Sequence, residues 1–164
     1  MSATADNETL IAAFRDVLQT LLAKTKAART TVRLDLPARG WSVNTPCAEA
    51  LAPGMRSMMG DGSIDHRRAR SIRWIEKHRR PLIQGDVTAD PEMAPPPALM
   101  QIFGTKAQIV GPLTGDDDYL VGWLSAHFAE GPRKFTKTEI ASFERARKEA
   151  SRVAGLPYTP FTGA

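Results

Sequence analysis

The stretch from Lys106 to His127, KAQIVGPLTGDDDYLVGWLSAH, constrains this chain most. Two apolar runs, Ala107 to Leu113 and Tyr119 to Ala126, flank Thr114-Gly115-Asp116-Asp117-Asp118, and a Gly-containing polar cluster between such runs is how a hairpin loop is written. Period-two alternation along the second run places Tyr119, Val121, Trp123, Ser125 and His127 on one face. Leu120, Gly122, Leu124, Ala126 and Phe128 fall on the other. The second set is plain core; the first carries chemistry. An earlier strand adding polar residues to that first face would make the sheet the floor of a binding site.

A chain of 164 residues with 42% hydrophobic content is the size of one domain with a real core. The expected division is a flexible N-terminus over 1–8, one domain over 9–155 and a tail over 156–164. The apolar runs fall far short of the ~20 residues that span a bilayer, and MSATADNETL has neither the cationic start nor the apolar core of a signal peptide. A cytoplasmic location is the expectation, with no membrane partner. The single cysteine, Cys47, can form no internal disulfide and no thiolate metal site alone, which fits a reducing compartment.

From Leu10 the positions Leu10, Ile11, Phe14, Val17, Leu18, Leu21 and Leu22 follow helical spacing, with Asp6 or Asn7 as the cap. In TTVRLDL, Val32, Leu34 and Leu36 alternate with Thr31, Arg33 and Asp35, a half-buried strand whose second face is polar. Between Pro37 and Pro53 the reading is a short strand, Trp41 to Val43, followed by a loop. Ser63 or Asp65 can cap a helix that stops before Pro81, with Ala69, Ile72 and Ile75 as its inner stripe. Pro81 to Val87 reads as a short buried piece, and Ala98 to Phe103 as one or two helical turns that follow three prolines and close at Gly104. Thr136-Lys137-Thr138-Glu139 is a capping box opening a last helix with the stripe Ile140, Phe143, Ala146, Ala150 and Val153. The tail PYTPFTGA is either loose or docked by Tyr158 and Phe161.

Helix, strand, helix-rich crossover, hairpin and helix make an α/β (α+β) arrangement, a mainly antiparallel sheet with the terminal helices on one face and the crossover helices on the other. In this order the chain resembles a GAF domain from about Leu10 to Gly155. TTVRLDL takes the place of that family's first strand, and RRPLIQGD looks like its "x-G-R-P-hydrophobic-hydrophobic-x-D" segment. PPPALMQIFGTKAQIVGPL resembles its short helix, Gly and strand ending in Pro-Leu, LVGWLSAHF its "hydrophobic-G-x-L-x-hydrophobic" strand, and RKFTKTEIASFERARKEA its closing "F-T-x-x-E" helix. The resemblance implies a small-molecule pocket under the crossover helices and a homodimer formed through the terminal helices. Three specialised activities of the family meet departures here. Its free methionine sulfoxide reductases use more than one cysteine, its bilin-binding members attach the chromophore at a Cys commonly followed by His whereas Cys47 precedes Ala48, and the cyclic-nucleotide signature of Asn-Lys with a distant Phe-x-x-x-Asp-Glu is absent.

Merging the strands, the pocket face gathers Thr31, Arg33, Asp35, Gln108, Val121, Trp123, Ser125 and His127. Polar and charged groups beneath a helix cover must each find a partner, so their concentration there points to a ligand. Arg33 suits a carboxylate bidentately, and Trp123 with Phe103 and Trp41 would sandwich a planar ring. Arg67 is a further pocket candidate at the start of the middle helix. Between His66 and Arg80 seven Lys or Arg residues face one Glu, but they spread around the helix and the net charge is only +4, so nucleic acid is not the expected partner. The three histidines show no metal-ligand spacing, and neither metal nor cofactor is expected.

Two functions follow as expectations. The first is a small-molecule sensor or sequestering protein for a planar, anionic ligand, held by Arg33, Asp35, Trp41, Arg67, Phe103, Gln108, Trp123, Ser125 and His127. The second is an enzyme using the same pocket, with His127, His66, Asp35 or Cys47 as acid, base or nucleophile on an aromatic or carboxylate substrate. A structural interaction module with a salt-bridged polar face is a third reading.

Overall fold

The structure is a computed structural model that describes residues 6–62 and 64–161. Helix α1, Asn7–Thr25, is capped by Asp6, whose carboxylate accepts from the Thr9 N–H at 2.7 Å. Strands β1 (Arg29–Leu34), β2 (Ala48–Leu51), β3 (Leu82–Gln84), β4 (Ala107–Thr114) and β5 (Leu120–Phe128) form one antiparallel sheet in the order β2-β1-β5-β4-β3. Helices α2 (Arg70–His78) and α3 (Pro97–Gln101) lie in the crossover, and α4 (Lys137–Ala154) closes the chain. The expected capping box forms, with the Thr136 hydroxyl accepting from the Glu139 N–H and the Glu139 carboxylate accepting from the Thr136 N–H. No helix among the described residues is long and apolar enough to cross a membrane.

The sheet has two different faces. Val32, Leu34, Ala48, Ala107, Ile109, Leu124 and Ala126 pack against Phe14, Leu18 and Leu21 of α1 and against Phe143 and Ala150 of α4 in the main core. Gly111 lets α4 approach: a Cβ there would stand 2.7 Å from the Phe143 ring and 2.6 Å from Arg147 Cδ. On the other face the cover is assembled from small apolar groups. Ile72 and Ile75 of α2 pack with Leu82, Val110 and Trp123, while Met58, Leu99 and Phe103 form a separate plug.

Three local expectations change. The strand before the crossover is Ala48–Leu51, not Trp41–Val43; Trp41 makes only an isolated bridge to Leu36. Ala48 and Ala50 pack inward while Glu49 and Leu51 are part exposed, a period too short and too alanine-rich to stand out. The middle helix is interrupted. His66–Arg68 is a 3₁₀ turn, Ala69 is extended, and α2 begins at Arg70 without a side-chain cap. Asp65 therefore precedes the turn rather than capping α2, and Ser63 lies outside the described residues. The tail docks: Tyr158 Oη and the Phe161 N–H donate to Glu144, and Arg147 donates to the Thr159 carbonyl.

The hairpin carries a bulge. Leu113 pairs with Gly122 and Thr114 with Leu120, so Val121 is the extra residue. The irregularity resets the alternation. Leu120 joins Trp123 beneath the cover, and Val121 turns into the main core, the reverse of what strict alternation places there.

Candidate functional site

Register places the polar side chains of five strands in rows across the covered face. Gln84 pairs with Gln108, Gln108 with His127, and His127 with Arg29. The next row runs from Val110 through Ser125 and Thr31 to Glu49, and beyond it Trp123 pairs with Arg33. Strand β1 thus directs Arg29, Thr31 and Arg33 to this face and Thr30, Val32 and Leu34 to the core. Arg29, Thr31, Arg33, Gln108, Ser125 and His127 are all buried.

The donors here are only partly used. Arg33 Nη1 donates to the Val43 carbonyl at 2.9 Å and Arg29 Nη2 to the Arg56 carbonyl at 2.7 Å. Arg33 Nη2, Arg29 Nε, His127 Nδ1 and the Thr31 hydroxyl are buried and have no hydrogen-bond partner among the described residues. Burial, offset in part by Glu49 and Asp61, brings the Arg33 guanidinium down to about 10, and burial lowers Arg29 as well. His66, brought over this face by the 3₁₀ turn, is held down to about 3 by burial and then by Arg33. His127 is pushed well below the usual range by burial, Arg29 and Arg33. At neutral pH both histidines are neutral, and the two arginines are the cations of the site.

Single polar tethers hold the cover down. Glu49 accepts from the Ser57 hydroxyl and from the Met58 N–H, Arg29 holds the Arg56 carbonyl, and Gln84, itself accepting from Gln108, donates to the Met93 carbonyl. Between the cover and the sheet Arg33, Met58, His66, Leu99, Ser125 and His127 surround a cavity of about 20 Å³. That space takes one water-sized group. A planar ring enters only when the Met58–Leu99–Phe103 plug moves.

Several expected site residues stand elsewhere. Trp41 packs edge-on against Phe14, 6.4 Å between ring centroids, at the margin of the main core. Phe103 lies under the guanidinium groups of Arg29 and Arg56, and Trp123 is core beside Ile72 and Ile75. The three aromatic residues therefore occupy three separate clusters and form no sandwich, because the bridge at Leu36 carries Trp41 to the α1 side. Asp35 lies past the end of β1, paired with Arg67 at 3.5 Å and accepting from Tyr119 Oη at 3.3 Å. Arg67 also donates to the Leu120 carbonyl and lies over the rings of Tyr119 and Trp123. These two residues close the rim of the sheet rather than the cavity.

Cys47 is buried in the main core, its thiol donating to the Val32 carbonyl at 3.4 Å, and burial pushes it up to about 12. The burial follows from the pairing of the Cys47 N–H with the Val32 carbonyl one residue before β2 begins. A thiolate nucleophile is excluded at neutral pH. A thiol reagent is expected to leave native protein unlabelled at pH 7 and to react at once in denaturant; labelling at equal rates would contradict the burial. With two neutral histidines that are poor bases, no acid–base pair converges here. Among the described residues no group of three His, Cys, Asp or Glu could hold a metal ion.

Arg29, Glu49 and Gln84 belong to this face and escaped the sequence reading. Arg29 and Glu49 lie on strand residues read as loop, and Gln84 lies on a three-residue edge strand too short to show a period. The signal that could have found Arg29 was the alternation Arg29, Thr31, Arg33, extended one step toward the N-terminus.

No family model and no curated protein matches the chain. Solved structures do. The cyanobacteriochrome receptor PixJ, in its dark and illuminated crystal structure, aligns with a TM-score of 0.70 at 23% identity, over 91% of this chain and 97% of that one. The blue-light-absorbing form of the Thermosynechococcus elongatus PixJ GAF domain gives 0.69 at 21% identity, over 94% and 92%. The fold is that of a GAF domain. The chromophore-binding domain of an unusual bacteriophytochrome from R. palustris aligns too, at 0.66 and 16% identity over 92% of this chain and 56% of that one. The residues here do not fit a GAF-type chromophore attached through cysteine: the one thiol is in the opposite core, and the cavity above the polar face takes a single water-sized group.

Proposed function

We propose that this GAF-like protein binds a small, planar anionic molecule, of the aromatic carboxylate class, between the polar sheet face and the crossover cover, as a sensor or sequestering protein. The observation that carries the reading is the pair of buried guanidinium donors, Arg33 Nη2 and Arg29 Nε, that have no partner among the described residues, on a face whose two cations are both arginine. Leaving charged donors buried and unpaired is unfavourable, and an acceptor supplied by a ligand relieves it. A guanidinium fork matches a carboxylate bidentately. The closed form has no room for a ring, so binding is coupled to lifting the plug, and that movement is how occupancy reaches the surface. As part of the same reading, the resemblance to the GAF family implies the terminal helices as a homodimer interface.

Calorimetry with benzoate, nicotinate and indole-3-carboxylate, and with the matching neutral amides, tests this. The acids are expected to bind and the amides not. Arg33→Met is expected to weaken acid binding at least ~30-fold, as for loss of one partner of a buried charge pair. The same substitution removes a buried cation from an apolar surround and is expected to raise the unfolding midpoint. Equal affinity for acid and amide, or for wild type and variant, would overturn the assignment.

A further inference from the structure

The middle of the chain carries a second feature that the polar site does not use. Of the seven cations between His66 and Arg80, three are tied to acidic partners: Arg67 to Asp35 and Glu76, Arg68 to Asp65, and Arg79 to Asp118. The remaining four sit at positions 70, 73, 77 and 80, a 3-4-3 spacing that aligns three of them along the solvent face of α2. All four are exposed, and among the described residues none of them makes an ion pair. The fourth, Arg80, folds back over the ring of Trp74, 5.4 Å from its centroid. Trp74 is half-buried and stacks on exposed His78 with centroids 4.3 Å apart. Arg70, Arg73, Lys77, Trp74 and His78 form one wall of an open groove of about 590 Å³, and Asp90 and Glu92 stand on the other.

We propose that this groove binds single-stranded nucleic acid, with the phosphates along the cationic stripe and a base stacked on Trp74. The cations are 4.5–6 Å apart along α2, taking about 1.5 Å of rise per residue, so they follow an extended backbone rather than converging on one phosphate. The ring pair supplies the flat apolar surface that any base accepts, and Arg80 can leave the Trp74 face to meet a phosphate. The carboxylates opposite repel phosphate and accept from base amino groups, which sets the strand with its backbone on α2 and its bases in the groove. A lipid headgroup layer or a sulfated glycan is repelled by the acidic wall and has few amino donors to offer it. The charge of the whole chain is small, so this affinity rests on the local stripe.

Fluorescence anisotropy with a fluorescein-labelled oligo(dC) of 12 nucleotides, whose bases carry amino groups, on the full chain at several salt concentrations, tests the proposal. Four phosphate contacts give a slope of log K against log salt of about −3, and R73Q/K77Q is expected to halve it and to weaken binding more than tenfold at low salt. W74F keeps an aromatic ring in the fold and leaves the slope unchanged, while the quenching of tryptophan fluorescence on binding disappears. The proposal fails if R73Q/K77Q binds with wild-type affinity and slope. It fails equally if saturation quenches W74F as strongly as wild type, or if a 12-base-pair duplex or heparin binds as tightly as the single strand.

Discussion

Lowering the pH from 7 to 5 is expected to remove about 2 kcal/mol of folding stability through His66, and His127 adds to the loss in the same direction. Both imidazoles are buried, and burial is the first cause of their lowered proton affinity. Arg33 adds to the effect on both, and Arg29 adds to it at His127. Asp61 acts the other way on His66, without reversing the sign. Because the folded pKa lies below the unfolded value, the unfolded chain takes up the proton first. The stabilisation is complete above about pH 6.5 and is lost as the pH falls toward the folded value, about 3 for His66. Urea midpoints measured between pH 7 and 5 should therefore fall steeply. In H66Q/H127Q the slope should flatten. A double variant with the wild-type pH dependence would place the acid sensitivity elsewhere. An anion bound at Arg33 would lessen the repulsion that the histidines feel, so the same titration with ligand present also reports on the site.

Arg147→Ala is expected to destabilise the protein by about 3–5 kcal/mol, the range for breaking a buried ion pair from one side. Arg147 is buried on the sheet side of α4, donating from Nε and Nη2 to the Glu144 carboxylate at 2.7 and 2.6 Å. It also donates to the Pro112 carbonyl of β4 and to the Thr159 carbonyl of the tail. Truncation leaves a buried Glu144 facing only the Tyr158 hydroxyl and the Phe161 N–H, and it opens a void over Gly111. Removing both charges, as in Glu144→Gln with Arg147→Met, should cost less than Arg147→Ala alone, since no uncompensated charge remains. Denaturant titration of the three proteins checks the order. A loss of less than about 1 kcal/mol for Arg147→Ala would show the pair to be solvated.

The long helices and the hairpin were legible because each carries its own periodic signal. The stripe from Leu10 to Leu22, the Thr136–Glu139 capping box and the Gly115 turn act within a few residues, and the structure keeps all three. Local signals carried no information about pairing. Strand β2 was hidden because its order comes from the ladder to Arg29–Val32, not from its own composition. Trp41 read as a pocket aromatic because sequence distance to Trp123 says nothing about side of the sheet. Cys47 stands in the sequence as a candidate nucleophile, and only the Val32 pairing shows its thiol to be buried. Val121 is displaced by the bulge, a tertiary adjustment opposite Leu113 and Thr114 that exchanges the faces of Leu120 and Val121.

The sequence by itself determined the order of elements, the two-sided sheet with a polar face on β1, β4 and β5, and the position of Arg33, Gln108, Ser125 and His127 on that face. Only the tertiary structure decided which aromatic residues meet, that the face is closed down to a cavity of about 20 Å³, and which cations of the basic segment stay unpaired. The reason is physical. Periodicity is dictated by backbone geometry over a few residues, whereas burial, pairing and enclosure depend on which distant segments pack together.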